Sequence, residues 1–364
     1  MVSRSIRIPP DVLDRIFTEL EAIVHISGSL DFRPTSCLHP LLFVCKEWHA
    51  AAGRRLYSRV GLDTRKTLKN PLNRNCDLFL TSIKSKPGLA SLVREISLAV
   101  SFESREGSFS HAQILRLCPK VRSVRIGGTH NKFLDDINTA LAQKNLIELR
   151  FERLIPPDNG AWPTNRKMVF RTTSEIIRYL FDFPHLQRLT SSTNVTLDTR
   201  DCDYDDDSIL PRSLSVTVGC CPALHTFEMQ GSVLKPTHLQ LLSEIAPNVK
   251  YVAFALKGSS ADTFGECLCK WSSSLVRISL MVLEPDVRRT VERLAVVLRE
   301  DNPLRPLRHL ELWLGSRYIK NGIEATQIQA AGKAIGELCN KQQIHLDCWE
   351  KNSRGQYVLR TYNY

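Results

Sequence analysis

Few residues in this chain have the types and spacing that chemistry requires. Two cysteine pairs come first, Cys267-x-Cys269 and the adjacent Cys220 and Cys221. Grouped thiolates could hold zinc. Structural zinc sites, however, take ligands about two to four residues apart in two matched halves, and neither pair has its other half. The run DTRDCDYDDD, Asp198 to Asp207, alternates carboxylates at Asp201, Asp203 and Asp205, as a calcium loop does. Asp206 stands where such a loop needs a glycine for its sharp turn, and the distal glutamate is missing. A solvated acidic loop is therefore expected. The ten histidines are dispersed. No nucleophile elbow, phosphate-cradling glycine loop, HExxH or dinucleotide fingerprint occurs. These absences predict a non-catalytic chain, with no catalytic residue, cofactor or metal to assign.

The most informative elements lie at the N-terminus, over residues 8–57. Pro9 and Pro10 suit an extended approach and a first helical turn, where a missing N–H costs nothing. Asp11 adds a negative charge where the helix dipole favours it. Val12, Leu13, Ile16, Phe17 and Leu20 recur at helical spacing, with Asp14, Arg15 and Glu19 opposite. A second helix is predicted over Leu41 to Tyr57, carrying Leu41, Leu42, Val44, Cys45, Trp48, Ala52 and Leu56, with Arg54 and Arg55 near its end. A unit of about fifty residues buries its apolar surface poorly alone, so the exposed part of its apolar face is expected to meet a partner.

At these residues the chain resembles the F-box, in its divergent fungal-type form. That family opens a first helix with a hydrophobic residue and proline, carries Val-Cys-basic-x-Trp in the next, and closes on Leu-aromatic-basic. The matches are Ile8-Pro9, then Val44-Cys45-Lys46-Glu47-Trp48, then Leu56-Tyr57-Ser58-Arg59. The resemblance covers about fifty of the 364 residues. The stretch from Glu21 to His39, followed by Pro40, is longer than the family's minimal connection.

The whole chain is long enough for more than one domain or for an extended repeat array. Its net charge of +11 could favour nucleic acid or an acidic partner. The Lys and Arg residues are scattered, however, without a nucleic-acid-type block, so a solubilising surface is the expectation. The eleven cysteines have no framework spacing, and Cys45, Cys118, Cys221 and Cys339 sit in apolar contexts, as reduced core thiols do. The first residues lack an apolar signal core, and no run reaches bilayer length. A cytoplasmic or nuclear location, without membrane contact, is expected.

Beyond residue 75 one pattern returns: apolar-x-x-apolar-x-apolar. It reads Val93-x-x-Ile96-x-Leu98, Val121-x-x-Val124-x-Ile126 and Leu146-x-x-Leu149-x-Phe151. Leu186-x-x-Leu189 is weaker, with Ser191 in the last slot. Leu224-x-x-Phe227-x-Met229, Val249-x-x-Val252-x-Phe254, Leu275-x-x-Ile278-x-Leu280, Leu307-x-x-Leu310-x-Leu312 and a partial Ile344-x-Leu346 follow. The alternation predicts short strands. Pro119, Pro184, Pro222 and Pro247 precede four of them, ending one helix and extending the chain into the next strand. Helices are predicted at Ser174 to Phe183, with Ser174 as cap, and at Thr237 to Ile245, Val287 to Arg299 and Ala325 to Cys339.

Strand plus helix at intervals of about 25 to 40 residues resembles a leucine-rich-repeat array. The asparagine expected after each strand is nearly absent, Asn194 alone occupying it, so the turns must be satisfied otherwise. The competing architecture is an α/β sandwich with helical crossovers. The predicted fold class is thus α/β: a three-helix F-box unit at 1–62, a connection at 63–90, an irregular leucine-rich-repeat-like solenoid at 91–350, and a tail at 351–364. Pro156-Pro157-Asp158-Asn159-Gly160 marks a turn-rich excursion.

The F-box resemblance implies a substrate-recognition subunit of an SCF-type cullin-RING ubiquitin ligase. Its partners would be a Skp-type adaptor, through that a cullin, and a protein substrate. By position, Ile8, Pro9, Val12, Ile16, Leu20, Val44, Cys45 and Trp48 would bind the adaptor or form the core presenting it, Trp48 belonging more to the core. Substrate would meet the concave strand face, where alternation points to Arg122, Arg125, Arg150, Glu228, Arg277, Glu311 and Trp313. The alternatives are a repeat scaffold without ubiquitin transfer and, less favoured, a basic nucleic-acid binder.

Overall fold

The computed structural model of the chain describes residues 8–25, 38–63, 74–99, 106–127, 129–152, 168–169, 173–192, 219–256, 260–283, 287–299, 304–315, 322–351 and 357–360. The acidic run 198–207, the excursion at 156–160 and Asn194 lie outside them. The described residues fall into two compact units, one within Met1–Leu146 and Leu154–Val169, the other within Ile147–Arg153 and Phe170–Tyr364.

The first unit begins with α1, Pro10–His25. The Pro9 carbonyl accepts from the N–H groups of both Val12 and Leu13, starting the helix without a side-chain cap. A 3-10 turn, Pro40–Phe43, leads to α2, Lys46–Ser58. Leu13, Phe17, Leu38 and Ala52 form a small buried core, with Ile8, Leu20, Leu41, Leu42, Trp48 and Ala51 packed round it. Phe17 and Trp48 meet edge to face with ring centroids 5.5 Å apart, an arrangement aromatic quadrupoles favour. Arg55 of α2 reaches back to α1, its Nε 2.9 Å from the Asp14 carboxylate and its NH2 donating to Thr18 Oγ1 at 2.6 Å.

Directly after α2 the chain enters β1 (Arg59–Asp63), a strand the apolar pattern did not announce. Helices α3 (Arg74–Ser85) and α4 (Pro87–Ala90) lead to β2 (Glu95–Ala99), then α5 (Glu106–Leu117), β3 (Ser123–Gly127) and α6 (Leu134–Ala142). β1, β2 and β3 are parallel and in sequence order. A short strand β4 (Thr129–His130) pairs antiparallel with β6 (Met168–Val169).

The second unit repeats one step. It contains β5 (Glu148–Glu152), α7 (Thr173–Asp182), β7 (Arg188–Ser191), β8 (Thr226–Leu234), α8 (Pro236–Ile245), β9 (Tyr251–Leu256) and α9 (Ala261–Lys270). Then come β10 (Arg277–Leu283), α10 (Val287–Arg299), β11 (His309–Gly315), α11 (Gly322–Lys341), β12 (His345–Lys351) and β13 (Tyr357–Arg360). β5, β7, β8, β9, β10, β11 and β12 are parallel neighbours in chain order, and β13 closes antiparallel on β12. Helices α7 to α11 pack successively as well. A doubly wound sandwich would reverse its strand order part-way. Here the order never reverses, so the arrangement is a parallel, leucine-rich-repeat-like α/β fold. The weak copy at Leu186-x-x-Leu189 forms a full strand, with Ser191 buried in the slot where other copies put an apolar residue.

Main-chain and side-chain bonds between successive steps take the place of the missing asparagine. As β8, β9, β10 and β11 begin, two consecutive N–H groups share one carbonyl of the preceding repeat: His225 and Thr226 on Gln187, Lys250 and Tyr251 on His225, Val276 and Arg277 on Lys250, Arg308 and His309 on Val276. Ser260 Oγ donates to the Leu234 carbonyl at the end of β8 at 2.6 Å, and buried Trp271 donates its Nε1–H to Ala246 O at 3.1 Å. Buried carbonyls are thus satisfied repeat to repeat. The helices cover one sheet face with apolar stripes; on α10, Val291, Leu294, Ala295 and Leu298 are buried while Glu292, Arg293 and Arg299 face out.

Three sequence expectations need correcting. Leu41 to Tyr57 is not one helix. Pro40 nucleates a tight turn, and Cys45 then adopts an extended conformation (φ −159°, ψ 173°) before α2 starts at Lys46. Cys45 is accordingly exposed and no core thiol, whereas Cys118, Cys221 and Cys339 are buried as expected. Ser174 is no cap either; it lies within α7, fully buried.

Candidate interaction surfaces

The N-terminal pair has a buried inside and several exposed apolar side chains outside. On α1, Leu13 and Phe17 fill the core, while Val12 is 43% and Ile16 36% exposed one helical turn apart on another face. The turn before α2 leaves Phe43 78% and Val44 58% exposed. Of the residues with predicted adaptor roles, Val12, Ile16, Val44, Cys45 and Pro9 thus stand outside, whereas Ile8, Leu20 and Trp48 are partly buried against the core. Phe43 is an exposed apolar residue that sequence reasoning missed. Its neighbours Leu41 and Leu42 pointed to a continuous helix, and that hid the turn.

A second surface is the open strand face of the second unit, opposite the helices. Parallel register lines up side chains in rows. Arg188, Thr226, Tyr251, Arg277, His309 and His345 are successive partners across β7 to β12. Two residues further along, Arg150, Thr190, Glu228, Ala253, Ser279, Glu311 and Asp347 make the next row from β5. A third row runs Ala255, Met281, Trp313, Trp349 and Leu359.

Five of the predicted substrate-face residues, Arg150, Glu228, Arg277, Glu311 and Trp313, therefore share these rows. Arg125 partners Ser97 on the first unit's own strands. Arg122 immediately precedes β3, one residue outside its alternation.

The rows are electrostatically matched. Arg277 stands 5.2 Å above the Tyr251 ring and 3.4 Å from Glu311 Oε2. Burial first, then the Glu228 carboxylate, pushes the Tyr251 hydroxyl up to about 12, so it remains a neutral phenol. Arg150 pairs with Glu148 at 3.4 Å. Trp313 and Trp349 stack with centroids 4.9 Å apart and planes within 8°. Tyr251, Trp349, His309, His345 and Asp347 were not anticipated. A signal existed: His309 and His345 each stand immediately before a strand leucine, Leu310 and Leu346.

Among the described residues, two nucleophile–imidazole pairs form in the interior, and neither is poised for catalysis. Cys76 Sγ lies 3.5 Å from His111 Nε2. Burial, with a smaller push from Asp77, raises the thiol to about 12, and burial lowers the imidazole to about 4. Both stay neutral, without a thiolate to attack. Ser174 Oγ lies 3.0 Å from His238 Nε2, both fully buried. His238 Nδ1 accepts the Lys235 N–H at 3.3 Å, so Nε2 carries the proton and donates to Ser174. Neither cysteine pair converges on a metal geometry. Cys267 is buried and bonds the Leu239 carbonyl, Cys269 is exposed, and Cys221 bonds the carbonyls of Phe183 and Leu186.

No protein-family model matches this chain, and no curated protein matches it. Among solved structures it is similar to the leucine-rich repeat-containing protein LegL7 from Legionella pneumophila. The two share 14% identity over 84% of this chain and 89% of that one, with a TM-score of 0.41. The strand order and backbone ladder of the chain itself define its repeat. Among the described residues, no helix is long and apolar enough to cross a membrane.

Proposed function

We propose that this chain is a non-catalytic substrate receptor of an SCF-type ubiquitin ligase. In that reading the N-terminal pair docks a Skp-type adaptor and the open strand face holds a protein substrate. The single observation that carries the reading is the exposure of Val12, Ile16, Phe43 and Val44 round a closed aromatic core. Apolar residues displayed by a small, already folded unit are what a partner groove takes up. The F-box-like order Ile8-Pro9, Val44-Cys45, Trp48 gives the partner its class. The reaction chemistry belongs to other subunits, and this chain supplies proximity.

The coarser reading is a repeat scaffold for protein interaction without ubiquitin transfer. It draws on the same strand face and needs no adaptor. Nucleic-acid binding is disfavoured on this face, where Arg277 and Arg150 already lie beside carboxylates that would repel phosphate. Reconstitution with purified Skp-type adaptor and cullin separates the readings. Under the ligase reading the wild type brings down both in equal amounts, and Val12→Glu with Ile16→Glu brings down neither. Capture of adaptor without cullin leaves the scaffold; capture of neither removes the ligase role.

A further inference from the structure

His309 opens β11, and His345 opens β12 as its register partner on the neighbouring parallel strand. Asp347 lies two residues beyond His345, so its side chain leaves the same face of the strand. The three converge: His309 Nε2 is 2.9 Å from Asp347 Oδ2, and His345 Nε2 is 3.3 Å from Asp347 Oδ1. One donor atom from each lies within 4.8 Å of the others, and the imidazole rings meet at 5.0 Å, nearly perpendicular.

An ordinary His–carboxylate bond does not account for this cluster. His309 Nε2 is shielded from solvent yet makes no hydrogen bond among the described residues. It stands 2.9 Å from the carboxylate oxygen as an ion-pair contact without making a hydrogen bond to it. A cation between the two groups would satisfy both lone pairs. In a tetrahedral zinc site with bonds of about 2.0–2.1 Å, neighbouring donor atoms stand roughly 3.3 Å apart. The two nitrogen–oxygen separations, 2.9 and 3.3 Å, lie just below and at that spacing, and all three donors lie within 4.8 Å of one another, so small side-chain rotations complete the set. The backbone beneath is fixed, because the ladder sets His309 against His345 and the stacked pair Trp313–Trp349 keys the same two strands on the same face.

We infer that His309, His345 and Asp347 form a three-ligand site for a divalent transition metal of the zinc class, its fourth position open on the strand face. Two imidazoles and one carboxylate are a ligand set that zinc accepts with an exchangeable donor in the remaining position. In the isolated chain that donor is water. The inference is independent of the ligase proposal, since it uses neither the N-terminal pair nor an adaptor.

The experiment is calorimetric titration of the full chain with Zn²⁺ in a non-thiol reductant, with thermal melting in parallel. The wild type is expected to bind one zinc with micromolar affinity or better and to melt higher when loaded, because a ligand of the native state stabilises it. His345→Ala and Asp347→Asn should each weaken binding at least tenfold and cancel the thermal shift. His345 has 68% of its side chain exposed, so its variant folds. Co²⁺ substitution supplies a second readout, with d–d bands but no thiolate charge-transfer band. Zinc binding of equal strength in both variants, thiolate–cobalt absorption from cysteine ligation, or no binding by the wild type would each overturn the inference.

Discussion

Along α1 and the turn before α2, apolar side chains face solvent over a closed aromatic core, and Asp14 and Arg55 clip the two helices together at the surface. On the strand face of the second unit the arrangement is inverted. There the apolar residues point down to the helices, while arginine, glutamate, histidine, aspartate and aromatic groups stand up in register and partner one another across strands. The difference teaches how each region can bind. An apolar knob gains most of its affinity by leaving water. A preorganised polar array gains selectivity, because a ligand that mismatches it leaves charges unpaired.

The largest expected effect breaks the comparison on the side of the N-terminal core. Phe17→Ala removes a fully buried ring and its partner contact with Trp48, which should cost about 3–5 kcal/mol. Hydrogen exchange should then show lost protection across α1 and α2 but retained protection in β9 to β12. Equal loss in both would mean that the two regions do not fold with separate cores.

Acid sharpens it next. Burial lowers the native His111 imidazole from 6.5 to about 4, so the unfolded chain binds more protons between those values. Stability is therefore full above about pH 6.5 and falls as pH drops towards 4, by roughly 3 kcal/mol in all. Urea midpoints across this range should show the slope in the wild type and a reduced one in His111→Gln.

The third test concerns the surfaces alone. Val12→Glu with Ile16→Glu should alter stability by about 0.5 kcal/mol or less per exposed site, while abolishing adaptor binding. The smallest effect is the clip: a double-mutant cycle on Asp14 and Arg55, read by denaturation, should return about 0.2–1 kcal/mol, since Asp14 is two-thirds exposed.

Much of the repeat was legible because its period is enforced by burial. Leu310 and Leu312, or Val252 and Phe254, alternate since one strand face must meet the helices, and a pattern of that kind survives divergence. Helix α10 was equally plain from its stripe at 291, 294, 295 and 298. The break at Cys45 was not legible, because Leu41, Leu42, Val44 and Trp48 also fit one helix and only the backbone of Cys45 departs from it. β1 escaped notice because Val60 and Leu62 are too few to announce a strand, although β2 beside them holds them in register. The strand-face cluster was hidden for a different reason. His309 and His345 are far apart in sequence and become neighbours only through the register of β11 on β12. Local spacing rules find ligands on one helix or hairpin and miss those assembled by a repeat.

The ligase proposal rests on the apolar residues outside the Phe17–Trp48 core acting as a docking surface. Calorimetry of the purified chain with a purified Skp-type adaptor tests it most directly. The expected result is one-to-one binding by the wild type and none by the Val12→Glu, Ile16→Glu variant, whose melting stays cooperative and within about 4 °C of the wild type. Undiminished binding by that variant, or none by the folded wild type, would contradict it.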